Sequence, residues 1–268
     1  MKRIIITPVI WLIATIPLFA QNDPPGKKSF IYLSTGFTSI AYQDLVFSEM
    51  IYEGSGLSTI DFGYQRKGYR SVFHAKVSSI ATQVAPELLI SSLAFGQREE
   101  SSFSQITLDI SYARQMIEAA ELKGYVGLRL QAQYQENEIV FGLGDRTSYV
   151  FVNSLSPLLR LHYAFMKVWM LEFEGSMPLA TFLARSEYAV VDNEDIQGKD
   201  GFGLLYGKGD FVGPDTYRMI NLSVQLNNKI SRRLSGYVAY DFDYQKIARP
   251  DTMHLQTNII KLGINFQL

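Results

Sequence analysis

Opposite charges recur in this sequence at positions that could face one another, and with the three histidines they are its main candidates for chemistry. If Lys67-Gly68 is a two-residue turn, Asp61 falls across from His74. About the next turn Asp109 falls opposite Arg129, and about Met166-Lys167 Arg160 and His162 face Glu172 and Glu174. Across the last loop Asp241 lies near Lys261. Carboxylates beside imidazoles can move protons, and His74, His162, Glu172, Glu174 and Asp241 have the residue types for an acid–base or relay constellation. The same charges can instead neutralise each other inside a packed interior, since buried charges are tolerated only when paired. Each hairpin with an inward acid also carries an inward base within a register step, which a filled core requires and an active site does not. The ten residues Asp61, His74, Asp109, Arg129, Arg160, His162, Glu172, Glu174, Asp241 and Lys261 are therefore read as an interior ion-pair network, with no residue assigned as catalytic.

What must position them is clearest between Ser148 and Arg185. Outward from Met166-Lys167, one arm sets Leu155, Leu159, Leu161, Tyr163 and Phe165 on one face, with Ser154, Ser156, Arg160 and His162 on the other. The second arm sets Trp169, Leu171, Phe173, Met177 and Leu179 against Glu172, Glu174 and Ser176. A period of two is a strand signature, because successive side chains of a strand point to opposite faces. These arms exceed the usual five or six residues of a soluble strand and suit strands of roughly ten residues crossing a bilayer at a tilt.

About ten such segments follow one another: 30–40, 57–66, 69–80, 103–114, 123–134, 151–165, 168–183, 217–227, 234–245 and 255–268. One face of each is nearly pure hydrocarbon, as in Ile106, Leu108, Ile110 and Tyr112, or Ile260, Leu262, Ile264, Phe266 and Leu268. Short links near Lys67-Gly68, Met116–Leu122, Met166-Lys167 and Asn228–Arg233 alternate with long ones at 41–56, 81–102, 135–150, 184–216 and 246–254. Alternating short turns and long loops mark an up-and-down transmembrane barrel. The expected fold is all-β, an antiparallel up-and-down barrel of about ten strands, or twelve if 184–216 adds a hairpin around Gly201–Gly207.

Composition agrees. The 268 residues hold 25 basic and 26 acidic side chains, a net charge of −1, which removes the electrostatic case for nucleic acid. The 16 Tyr, 17 Phe and 20 Gly fit a β protein with aromatic residues at a membrane interface. Trp169, Tyr69, Tyr217 and Phe165, near strand ends, are read as that girdle. Residues 1–20 read as a signal peptide, with Lys2 and Arg3 before an apolar run from Ile4 to Ile16 and cleavage after Ala20. Residues 21–29 then form an N-terminal segment and 30–268 the barrel. The chain has no Cys, hence no disulfide framework and no lipid-anchor cysteine. An exported chain with membrane-like alternation and no long apolar run belongs in a bacterial outer membrane, and an even strand count returns both termini to the periplasm.

The pattern over 30–268 resembles small outer-membrane β-barrels of the Bacteroidota kind, most of all at the Ala20-Gln21 junction and the terminal strand NIIKLGINFQL. The resemblance implies recognition by the outer-membrane assembly machinery, which in such proteins reads a terminal aromatic. Here Leu268 is last, with Phe266 two positions earlier on the same face. Lipid and lipopolysaccharide are the expected surroundings, with a partner protein met through the long loops.

Enzyme signatures are thin. His254 near Asp251 has the residue types of an omptin-like aspartate–histidine protease, but the paired rim aspartates of that family have no clear match, and Asp241 with Asp243 are weak substitutes. No GxSxG or HExxH occurs. Asp192, Glu194, Asp195 and Asp200 lack calcium-loop spacing and read as a solvated loop. No cofactor or metal is expected. Pro157 and Pro178 lie nearly opposite in the Ser148–Arg185 hairpin and remove ladder donors, so the wall must loosen there. One reading is that the strands splay into loops at this level; the other is a lateral opening for a lipid chain. The leading expectation is a structural or interaction-mediating barrel with a polar, ion-pair-filled interior. A lipid-modifying enzyme or hydrophobic-ligand carrier using the lateral opening, and a narrow small-solute pore, are the alternatives.

Overall fold

The computed structural model describes residues 28–46, 48–86, 101–141, 144–166, 168–186 and 209–268, with the backbone alone at 139–141 and 144–146. The expected signal peptide, residues 21–27, the acidic residues 192–200 and the hairpin around Gly201–Gly207 lie outside the described residues. Lys28 and Ser29, expected in the N-terminal segment, already belong to the first strand.

The strands are β1 (Lys28–Asp44), β2 (Ser48–Lys67), β3 (Ser71–Pro86), β4 (Ser101–Glu118), β5 (Leu122–Phe141), β6 (Gly144–Ala164), β7 (Trp169–Ser176), β8 (Ala180–Arg185), β9 (Asp210–Val212), β10 (Tyr217–Lys229), β11 (Leu234–Ile247) and β12 (Met253–Gln267). All pair antiparallel, in sequence from β1 to β7, then β7 with β10, β10 with β11, β11 with β12 and β12 with β1, so the sheet closes on itself. β7 and β8 together make one interrupted strand of the wall, both paired with β6. The result is the expected ten-stranded barrel, with β9 an extra short strand on the edge of β8 among the described residues.

The interruption sits at the two prolines. Leu158 pairs with Ser176 and Leu155 with Ala180, so the stretch carrying Pro178 is a one-residue bulge opposite Ser156-Pro157. The Leu179 N–H still donates to the Leu155 carbonyl at 2.9 Å, which holds β6 and β8 together there. The other side of the strand differs. β10 pairs with β7 only as far as Asn221–Ser176, and beyond that point β8 pairs with β9 instead.

The start of β1 and the end of β12 share one end with the short turns, and the Leu268 N–H donates to the Ser29 carbonyl at 2.9 Å. At the other end two expected long loops are corrected. The segments 41–56 and 135–150 are largely strand, and β1 and β5 run on to within three residues of the strands that follow them, β2 and β6. The alternation continues there, but Gln43, Glu53, Glu136 and Glu138 lie on the outer face, so the hydrocarbon signal that marks a lipid-facing strand stops before the strand does.

Outside, a belt of exposed apolar side chains circles the terminal two-thirds of the wall, from Leu33 and Ile60 through Leu108, Leu128 and Leu159 to Leu222 and Leu262. Tyr69 and Phe165 are exposed at its terminal edge. Tyr217, expected in that girdle, is instead buried in the interior, on the same face of β10 as Met219 and Asn221.

Inside, the filling changes with height, which corrects the expectation of a polar interior throughout. Near the termini Tyr32 and Tyr237 lie over Gly63 and Gly263, their direct cross-strand partners, where any Cβ would strike the phenol ring. The middle is charged. Toward the loops Ile40, Tyr42, Tyr52, Val84, Phe103, Val152, Tyr217 and Met253 form an apolar core. Glycine is required at 63 because the Tyr32 ring occupies the space a side chain would take. Gly63→Val should lower barrel stability by about 1–3 kcal/mol through overpacking, read as an earlier midpoint in urea unfolding in detergent.

Candidate functional site

The charged middle of the interior gathers most of the sequence-selected residues. Arg160 and Glu174 are direct partners in the β6–β7 ladder, and the guanidinium donates from Nε and Nη2 to Glu174 Oε2 at 2.8 and 2.5 Å. His162 and Glu172 are partners one step nearer the turn, Nε2 to Oε2 3.6 Å, with the imidazole against the Tyr125 ring. Asp109 and Arg129 are offset by one diagonal step in the β4–β5 ladder and form a buried ion pair. Arg129 also donates to Ser176 Oγ at 3.0 Å and lies 3.9 Å from Glu174 Oε1, linking β4, β5 and β7. Lys261 sits between two carboxylates, 2.6 Å from Asp61 Oδ2 and 2.6 Å from Asp241 Oδ2.

Asp61 and His74 are not brought together. The β2–β3 turn runs over Gly68–Ser71, closed by a Gly68 N–H to Ser71 carbonyl bond of 2.7 Å, so the register moves by four residues. Asp61 then faces Ser78, and His74 faces Gln65. The even shift leaves both side chains inward but gives them new partners. Asp61 accepts from Ser34 and Lys261, while His74 Nε2 lies 2.6 Å from the Tyr32 hydroxyl.

Sequence reasoning left four participants out of this network. Lys67, taken as a turn residue, is the last residue of β2 and reaches across the lumen to Glu172 at 3.1 Å. Its odd number, shared with Asp61 and Gly63, was the available sign that it faces inward. Asp243 accepts from Asn221 Nδ2 at 2.5 Å beside Asp241. Asp44 and Arg185, in stretches read as loop and strand end, form a buried pair at the loop end, where Arg185 also donates to the carbonyls of Arg249 and Asp251. These last bonds tie β8 to the β11–β12 loop.

A chamber of about 100 Å3 lies at the centre of this network, lined by His74, Lys76, Gln131, Glu174, Asp243 and Lys261 among others. A volume of that size suits a few waters and is too small for a substrate chain. Each carboxylate of the proposed relay set is engaged by a cation: Glu172 by Lys67, Glu174 by Arg160, and Asp241 by Lys261, which it shares with Asp61. His254 lies between the inward Met253 and Leu255, on the outer face, with Nδ1 3.1 Å from the Tyr244 hydroxyl. It is thus separated by the wall from the inward Asp241 and Asp243. Among the described residues no group of three or more His, Asp or Glu is placed to hold a metal ion.

Neither a protein-family model nor a curated protein matches the sequence. Solved outer-membrane barrels do match the fold. The outer membrane protease OmpT from Escherichia coli superposes with a TM-score of 0.52 at 8% identity, over 91% of this chain and 97% of that one. An outer membrane channel from Pseudomonas putida F1 gives 0.38 at 11% identity, over 93% and 98%. Neisserial surface protein A gives 0.38 at 7% identity, over 89% and 97%. The closed antiparallel barrel is therefore an outer-membrane barrel fold, and at these identities the likeness concerns the fold alone.

Removing one member of a buried ion pair strands the other. Lys261→Met, which leaves Asp61 and Asp241 facing each other, should destabilise the barrel by about 3–5 kcal/mol, and Arg160→Ala by a few kcal/mol. Adding Asp61→Asn and Asp241→Asn to Lys261→Met should recover most of the loss. Urea unfolding in detergent measures all three.

Proposed function

We propose that this chain sits in a bacterial outer membrane as a filled barrel, with both termini in the periplasm, and acts as a structural or interaction-mediating protein through its loop-end surface. The observation that carries this reading is that side chains bridge the lumen at every height. Lys67 reaches Glu172 near the termini, Gln133 donates to Gln245 at 3.1 Å toward the loop end, and Asn137 donates to Tyr42 at 3.1 Å near the loops, beside the Asp44–Arg185 pair. These contacts join strands on opposing sides of the ring, as a pore lining would not. The apolar belt supports membrane residence, because so large a contiguous patch is unfavourable in water. Short turns beside both termini support the periplasmic placement of that end. Lipid, lipopolysaccharide and the assembly machinery are its surroundings, and a protein partner is met through the loops.

A second reading, a hydrophobic-ligand carrier, is favoured by one feature. Above Ser176 the strand pairing between β8 and β10 is lost, and the interior at that level, Val152, Leu183, Tyr217 and Met219, is apolar. Two measurements separate the readings. In planar bilayers the filled barrel gives no steady conductance, and channels that open reproducibly would refute the filling. A fluorescent fatty acid should show no saturable binding, whereas binding abolished by Leu183→Arg favours the carrier.

A further inference from the structure

The lipid-facing wall carries a groove of about 540 Å3 that neither the ion-pair network nor the loop end uses. It begins at the terminal edge, at Trp169, Asn228 and Gly236, passes Val238 and Leu262, and ends at Leu33 and Ile60. Trp169 opens β7 and Asn228 is next to last in β10, whereas Ile60 lies seven residues inside the end of β2. The groove therefore climbs from the rim into the apolar belt. Strands of such barrels tilt by about 35–45°, so a path across them rises steeply along the wall, as an acyl chain does. Gly236 keeps its floor open. A Cβ there would meet only Ile230 Cδ1 at 3.4 Å and Gly263 O at 3.9 Å.

The rim end is basic. Residues 230–233 link β10 to β11, and Lys229, Arg232 and Arg233 are exposed there. No Asp or Glu occurs between Val224 and Tyr240, or between Leu255 and Leu268 in the neighbouring strand, to neutralise them. Trp169 stands at the boundary, where an indole suits the junction of headgroup and hydrocarbon. An apolar track that starts beside exposed cations with no ion pair among the described residues matches a lipid with an anionic head and a long tail.

We infer that this groove is a binding site for an anionic glycerophospholipid of the leaflet nearest the termini. Its phosphate lies on Arg232 and Arg233, and one acyl chain runs past Gly236 toward Ile60. The inference rests on the membrane placement proposed above. In the full chain carrying Trp11→Phe, Trp169 is the sole tryptophan and reports directly on the groove. The experiment reconstitutes this protein into phosphatidylcholine vesicles containing brominated phosphatidylglycerol or, separately, brominated phosphatidylcholine at equal bromine content.

Trp169 should be quenched with an apparent preference on the order of tenfold for phosphatidylglycerol. The double variant Arg232→Gln, Arg233→Gln should lose that preference while keeping the quenching by phosphatidylcholine. Gly236→Leu, with the cations intact, should weaken quenching by phosphatidylglycerol. Equal quenching by both lipids in the parent protein overturns the site but leaves the membrane placement standing. Absence of quenching by either lipid in a folded barrel overturns the placement as well. Recovery of fluorescence on adding unlabelled lipid A, but not unlabelled phosphatidylglycerol, reassigns the groove and also overturns the inference.

Discussion

Closure of the backbone ladder is the constraint on which the rest of this barrel depends. A strand bordered by hydrocarbon has no water to satisfy its N–H and C=O groups, so each must find a neighbouring strand. β1 does so twice, against β2 and against β12, along nearly its whole length. Once the ring is closed, side chains have only two destinations, inward or outward, and alternation assigns each one. The interior charges follow from that assignment. With the hydrocarbon-facing positions apolar, polar side chains must point inward, where they are shielded from water and require partners.

The manner of pairing shows how the interior meets this demand. Arg160 and Glu174 solve it locally, within one hairpin. Lys261 solves it for two acids at once, Asp61 on β2 and Asp241 on β11, and so joins strands on either side of β1 and β12. Lys67 and Glu172 solve it across the full width of the ring. Such contacts add little net stability compared with apolar filling of the same volume, but losing one partner is costly. They therefore favour one arrangement of the strands over others, a role that suits a chain whose outer face, apolar all along the belt, distinguishes registers poorly there.

Much of this was legible in the sequence where the signal was local. The apolar face of each strand follows from alternation alone, as does the Arg160–Glu174 pair, because the Met166 turn is short and the register counts outward from it. Legibility ended where a turn length had to be guessed. Four residues in the Gly68–Ser71 turn moved Asp61 from His74 to Ser78 and left its true partner, Lys261, two hundred residues away. No local pattern encodes that contact. The loop-end strands were hidden for a different reason: their outer residues are polar, so the contrast that identifies a membrane strand disappears although the ladder continues. Tyr217 looked like an edge residue for the same cause, and it is core.

That change of contrast has a physical logic. Beside the apolar belt the interior is charged, and above it, where Gln43, Glu136, Glu138 and Gln256 face outward, the interior holds Tyr42, Phe103, Val150 and Met253. The wall is thus turned inside out at one height and arranged like a water-soluble protein at the other, and the switch takes place within continuous strands. Hydrocarbon outside selects apolar outward side chains, and water outside releases that requirement, so the apolar residues can move to the lumen and gain from burial. The loop-end section is then a β structure with a hydrophobic core of its own, clamped at its top by Arg185 between Asp44 and the β11–β12 loop. Among the described residues this end is held together by buried side chains, which supports the filled barrel proposed above.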